Sequence, residues 1–161
     1  MILTGNELRR QIEMNNIVIS PFALSQVNPN SYNYRLGSSL KVYDEQQEKF
    51  RSVLIPKKGY VLEPHKMYLG HTKEVLGSNR YAMRLIGRSS LGRYGLFLQV
   101  SADLGHTTSC HQWTLELVAT QSIRLYANMI IGQISFWHNF GEINCYGKTF
   151  ANFNMPTEGY I

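Results

Sequence analysis

Glycine interrupts the chain at short intervals from residue 37 onward. Gly37, Gly59, Gly70, Gly77 and Gly87 are followed by Gly95, Gly105, Gly132, Gly141 and Gly147. The runs between them are short and rich in Tyr, Val, Ile, Leu and Phe, residues that suit a pleated, half-buried surface. Short strands bounded by turn residues predict a sandwich or barrel. The lack of a strand–helix rhythm argues against a doubly wound parallel sheet.

One helix is expected, at the start. Thr4 and Glu7 have capping-box spacing, and Leu3 and Leu8 stand where a hydrophobic staple closes the first turn. Leu8 and Ile12 share one face. Asn15-Asn16 ends the helix and Ile17-Val18-Ile19 opens the first strand.

The 161 residues fit one domain, with 151–161 a polar, proline-interrupted arm. That arm is either a loose end or a segment that orders over a ligand or a neighbouring subunit. No apolar run approaches the roughly 18 residues of a membrane span, and MILTGNELRR lacks the order of a signal peptide. Two cysteines, Cys110 and Cys145, are too few for a disulfide framework. A cytoplasmic chain without a membrane partner is expected. The net charge of +5 favours anionic partners. Its basic residues are spread out, with no run of five, which fits a compact phosphate site better than a nucleic-acid surface.

Two stretches carry candidate chemistry. In Trp113-Thr114-Leu115-Glu116-Leu117-Val118, period two puts Trp113, Leu115 and Leu117 on one face and Glu116 on the other. Glu116 then either looks at water or, if its face closes onto something, is a carboxylate held on a rigid strand for acid–base work. In GRSSLGRYGLF, from Gly87 to Phe97, a strand ends at Gly87 and another begins at Leu96. Arg88, Ser89, Ser90 and Arg93 lie between them in a turn or single helical turn. Hydroxyls, backbone N–H groups and a guanidinium fork suit phosphate oxygens; a basic surface turn is the other reading.

His106, Cys110 and His111 are of zinc-binding types, but their spacing matches no common zinc motif. The H-x-E and P-C-x-x-C signature of zinc deaminases is missing, as is a G-x-S-x-G elbow. His65, His71 and His138 are scattered and read as structural or exposed.

Taken in order, these pieces resemble the dCTP deaminase branch of the dUTPase-like superfamily. The resemblance runs through MILTGNELRRQIE, NPNSYNYRLG from Asn28 to Gly37, and GRSSLGR from Gly87 to Arg93. It continues through TLEL from Thr114 to Leu117 and MIIGQISF from Met129 to Phe136. It implies a mostly-β distorted barrel of the β-clip type, with a short N-terminal helix. It implies a homotrimer with sites between subunits, nucleotide phosphates bound with Mg²⁺, and deamination without zinc. By motif matching, Glu116 is the general base and proton shuttle, and Ser89 and Arg93 orient water and stabilise charge. Arg88 and Ser90 lie by the phosphates, and backbone at Ala102 reads the base edge.

The chain departs from this pattern twice. Where the family carries I-D-P-G-F/W-x-G, this chain has Asp103-Leu-Gly-His-Thr-Thr-Ser-Cys-His111. His106 falls at the aspartate that contacts the sugar, Thr107 at the proline and Ser109 at the aromatic residue. Asp103 compensates only if the loop is rerouted. The family's K-Y-x-x-Q-x-G-P-T arm reads here from Tyr146 through Lys148 and Asn152 to Thr157, with Asn152 at the glutamine. The expectation is deamination of a cytosine nucleotide on a changed substrate: a monophosphate, a ribonucleotide or a modified cytosine. The alternatives are a catalytically silent nucleotide-binding or regulatory protein, and a dUTPase-like pyrophosphatase.

Overall fold

The computed structural model describes residues 1–145 and 154–159. Helix α1 spans Gly5–Glu13, and Thr4 caps it by accepting from the Glu7 N–H at 3.3 Å. The Glu7 carboxylate is engaged by Gln11 Nε2 and Arg10. Asn15, at φ 57°, takes the left-handed backbone that stops the helix.

Strands follow as β1 (Ile17–Ser20), β2 (Tyr32–Arg35), β3 (Ser39–Asp44), β4 (Lys49–Leu54), β5 (Tyr60–Leu62), β6 (Met67–His71), β7 (Val75–Ser78) and β8 (Tyr81–Gly87). After a one-turn helix, α2 (Ser89–Arg93), come β9 (Leu96–Leu98), β10 (Leu104–Gly105), β11 (Cys110–His111), β12 (Thr114–Ala119), β13 (Ile123–Leu125) and β14 (Ile130–His138).

Every ladder is antiparallel, and the strands form four sheets around one core. The orders are β4-β3-β6-β12-β9, β10-β8-β14-β2, β1-β7-β11 and β13-β5. The expected mostly-β architecture with an N-terminal helix is present. Its pairing runs in these separate sheets, and none closes into a ring among the described residues. No described helix is long and apolar enough to cross a membrane.

One buried ion pair organises the middle of the chain. Glu74 is fully buried and accepts from the Arg35 backbone N–H at 2.8 Å and from its Nε at 2.5 Å. This pins the 72–74 turn between β6 and β7. The turn in turn holds the chain entering β12: Thr72 Oγ1 accepts from Trp113 N–H at 2.9 Å, and Gln112 Nε2 donates to the Lys73 carbonyl at 2.9 Å. Removing the Arg35 guanidinium, as in Arg35→Met, strands a charge in the interior. We expect a loss of about 3–5 kcal/mol in denaturant unfolding. A loss below about 1 kcal/mol, as for an exposed pair, would show that Glu74 does not depend on it.

His71 gives a second prediction. Burial holds its imidazole below the ordinary value, partly offset by its contact with the Thr72 carbonyl. Below about pH 6.5 the unfolded chain takes up a proton that the folded one does not, so stability falls with pH there and is unaffected above it. The unfolding midpoint should drop between about pH 7.5 and 5.5, and His71→Gln should flatten that drop.

Candidate active site

The alternation along β12 decides what faces what. Leu115, Leu117 and Ala119 are fully buried, so Thr114, Glu116 and Val118 take the opposite face. That face does not open straight to water. It forms part of the wall of a cleft of about 740 Å³, within the range of small-molecule sites. Phe50, Met67, Leu69 and Trp113 give the cleft apolar walls.

Glu116 sits in the middle of this wall, half-buried. Its register partner on β6 is Leu69, itself opposite Lys41 on β3. The three side chains therefore form a row across one sheet face, with strands about 4.8 Å apart. The Glu116 backbone is clamped by Gln99. The Glu116 N–H donates to Gln99 Oε1 at 2.8 Å, and the Gln99 N–H donates to the Glu116 carbonyl at 3.2 Å. Gln99 Nε2 donates to the Ala102 carbonyl at 2.9 Å. Gln99 holds a left-handed φ of 51°, and these bonds offset its cost. Ser101 then directs the carboxylate: its N–H and its hydroxyl each lie 3.3 Å from Glu116 Oε2.

The loop after Ala102 is anchored at several points. Asn139 Nδ2 donates to Thr107 Oγ1 at 2.9 Å, and the Thr108 N–H donates to the Ser78 carbonyl at 2.7 Å. His106 and Ser109 line the cleft. Asp103 does not: its carboxylate pairs with Arg84 Nε at 2.5 Å, and its carbonyl accepts from the Leu85 N–H at 2.8 Å. The end of the chain contributes too. Thr157, Glu158 and Gly159 line the cleft. The Thr157 N–H donates to Thr114 Oγ1 at 3.2 Å, and Glu158 pairs with Lys41.

Of the residues singled out in the sequence, the structure thus brings Glu116, Ala102 and His106 together. Ser89, Ser90 and Arg93 lie exposed on α2, with Arg88 half-buried before it, and none of the four lines this cleft. Tyr146, Lys148 and Asn152 lie outside the described residues. Gln99, Ser101, Lys41 and Glu158 were not anticipated. Their partners are remote in sequence or set by backbone geometry, so no local pattern marked them. Among the described residues no three His, Cys, Asp or Glu side chains gather as a metal cage.

A β domain with one strand carboxylate fixed in an apolar-walled, nucleotide-sized cleft defines a small-molecule site equipped for proton transfer. Comparison with known proteins makes this specific. A family model described as dCTP deaminase-like matches residues 2–139. The "dCTP deaminase, dUMP-forming" of Clostridium acetobutylicum is 42% identical over 147 residues, covering 88% of this chain and 84% of the relative. The "dCTP deaminase" of Rhodopirellula baltica is 39% identical over 148 residues, covering 88% and 74%. Among solved structures, the fold matches 2'-deoxycytidine 5'-triphosphate deaminase from Agrobacterium tumefaciens with a TM-score of 0.70 at 21% identity. That match covers 86% of this chain and 48% of the other, so this chain spans about half its length. The chain belongs to the dCTP deaminase-like family.

The clamp generates a prediction. Gln99→Ala removes two side-chain hydrogen bonds, to the Glu116 N–H and the Ala102 carbonyl, while leaving the carboxylate in place. Turnover on whichever nucleotide proves to be the substrate should fall at least about tenfold, since small misplacements of a reacting group are costly. Stability should fall by only about 1–3 kcal/mol. Unchanged turnover would show that Gln99 does not position the site.

Proposed function

We propose that this chain is an enzyme that hydrolytically deaminates a cytosine nucleotide, releasing ammonia and leaving the uracil nucleotide. The observation that carries this reading is Glu116, held by strand register on the cleft face and steered by Ser101 beside Ala102. The names of the relatives at about 40% identity support it.

In this reading water adds to C4 of the base while Glu116 takes its proton. The carboxylate passes that proton to the ring nitrogen, then takes the remaining proton from the new C4 hydroxyl and gives it to the departing amine as the C4–N bond breaks. C4 gains an oxygen and ammonia leaves, with no change of oxidation state. Ser89 and Arg93 would orient the water and offset developing charge, and Arg88 and Ser90 would lie by the phosphates. They stand on an exposed turn outside the cleft of their own chain. This fits a homotrimer of distorted-barrel subunits in which α2 of one subunit meets the cleft of the next. Lys148, Tyr146 and Asn152 would close the arm over the nucleotide, and Mg²⁺ would arrive with its phosphates. The changed loop, with His106 and Ser109 in the cleft wall, favours a changed substrate.

A second reading comes from the words "dUMP-forming" in several relatives' names, which add loss of pyrophosphate. Against it, the carboxylates lining the cleft among the described residues are Glu116 and Glu158, while Asp103 is turned to Arg84.

The test is ammonia release from dCTP, dCMP, CTP, CMP and 5-substituted analogues, with and without Mg²⁺, with product masses recorded. We expect release with one member and a loss of at least about 100-fold in Glu116→Gln, the product keeping its phosphates. A monophosphate product from a triphosphate would establish the second reading. Dominant turnover of plain dCTP would overturn the changed substrate. Nucleotide binding without ammonia would make the chain a binding or regulatory protein.

A further inference from the structure

We propose that His111 contacts the substrate in this cleft, its Nε2 accepting a hydrogen bond from a sugar hydroxyl of the nucleotide. The inference rests on the reading that the cleft takes a cytosine nucleotide with C4 at Glu116.

His111 lies on β11 opposite Leu76. It is only 5% exposed and lines the same cleft as Glu116. Its ring stacks on Trp113, with centroids 4.3 Å apart and planes at 29°. The Trp113 indole N–H is tied to the Leu76 carbonyl at 2.9 Å, so the imidazole rests on an anchored plate. His111 Nδ1 is 2.8 Å from the Gln112 carbonyl oxygen. A carbonyl only accepts, so Nδ1 bears the hydrogen, and in the neutral ring Nε2 is left as an acceptor. That Nε2 is buried and has no hydrogen-bond partner among the described residues. Buried polar atoms are rarely left so.

His71 Nε2 is also buried and unpartnered, but its ring packs against Gly37, where an added Cβ would sit 2.1 Å away, and it does not line the cleft. What distinguishes His111 is that the residue bearing this orphan acceptor lines the cleft that holds the carboxylate.

The chemistry of the missing donor follows by elimination. A nucleotide phosphate offers oxygens that accept. The cytosine amino group does donate, but in the proposed reaction it must lie at Glu116. The remaining donors are the sugar hydroxyls. Ser109, two residues earlier, lines the cleft as well, so one short loop presents a small residue and a flat acceptor side by side. In the free chain Nε2 is sealed from water. Asn154 Oδ1 accepts from the Gln112 N–H at 3.0 Å, and Thr157 is bonded to Thr114. These bonds fasten the end of the chain on either side of Trp113; on this proposal the nucleotide reaches Nε2 by displacing whatever part of the wall covers it.

The test is binding to the full chain by calorimetry, using dCTP, its 2',3'-dideoxy counterpart, CTP and dUTP. The unmodified protein should bind the nucleotide bearing the recognised hydroxyl at least about tenfold tighter than the one lacking it. His111→Phe, which keeps the stack on Trp113 and deletes the acceptor, should erase that preference. A preference that survives in His111→Phe, or none in the unmodified protein, overturns the proposal. So does a tenfold preference for dCTP over dUTP that vanishes in His111→Phe, because the donor would then be the amine. Nitrogen-15 NMR of the imidazoles needs no variant. The His111 Nε2 resonance should shift on adding dCTP or CTP and stay put with the dideoxy nucleotide, while His71 stays put throughout. An unmoved His111 resonance under saturating nucleotide sinks the idea even if His111→Phe fails to fold. A hydroxyl preference without ammonia release from any nucleotide would remove the deaminase reading and leave the hydroxyl contact to His111 standing.

Discussion

A fully buried carboxylate needs a partner, and that need fixes the centre of this molecule. Glu74 meets it with both the backbone and the side chain of Arg35. Because Glu74 cannot move without stranding a charge, the 72–74 turn cannot move either. The turn holds Gln112 and Trp113 through three hydrogen bonds, and Trp113 is both the entry to β12 and the plate under His111. This part of the cleft wall thus traces back to one ion pair whose cation, Arg35, comes from β2, a strand that does not itself line the cleft.

From that entry point the register of β12 does the rest. Five consecutive residues, 114–118, pair with β6, and Leu117, Val118 and Ala119 pair with β9. A slip of one residue would bring Leu115 or Leu117 into the cleft and drive Glu116 into the core. Burial of Leu115 and Leu117 and placement of the carboxylate are one event. Gln99 then reinforces the same register from the β9 side, using its side chain where regular strand pairing has ended.

What was legible in the sequence is what is local. The Thr4 cap, the single helical turn after Gly87 and the alternation of β12 depend on neighbours a few residues apart, and the chain folds as they suggest. Whether Glu116 faces water or a closed cavity was not legible, because its enclosure comes from Phe50, Gln99 and Thr157, far apart in sequence. The Arg35–Glu74 pair spans 39 positions and the Lys41–Glu158 pair 117, and no periodicity announces either. The mostly-β class followed from glycine spacing; the partition into four sheets did not, since it depends on which edges find each other. His111 was visible as a residue type, but only its burial in the cleft wall and the partner of its Nδ1 give it a direction.

The placement of these parts also bears on why the chain can depart from its family's loop and keep a coherent site. The Glu116 carboxylate is carried by a central strand that is fixed through bonds to β6, β9 and Gln99. The 103–111 loop is fixed independently, through Asp103 to Arg84, Thr107 to Asn139 and Thr108 to Ser78. Residues 106, 109 and 111 can therefore change the wall without displacing Glu116. Where the resemblance puts a carboxylate at 106 and an aromatic ring at 109, this chain has imidazole and hydroxyl, which alters the charge and hydrogen bonding the wall can offer. Glu116 keeps its place. In the function proposed above, that separation of Glu116 from the 103–111 loop is the physical ground for retained chemistry on a different nucleotide.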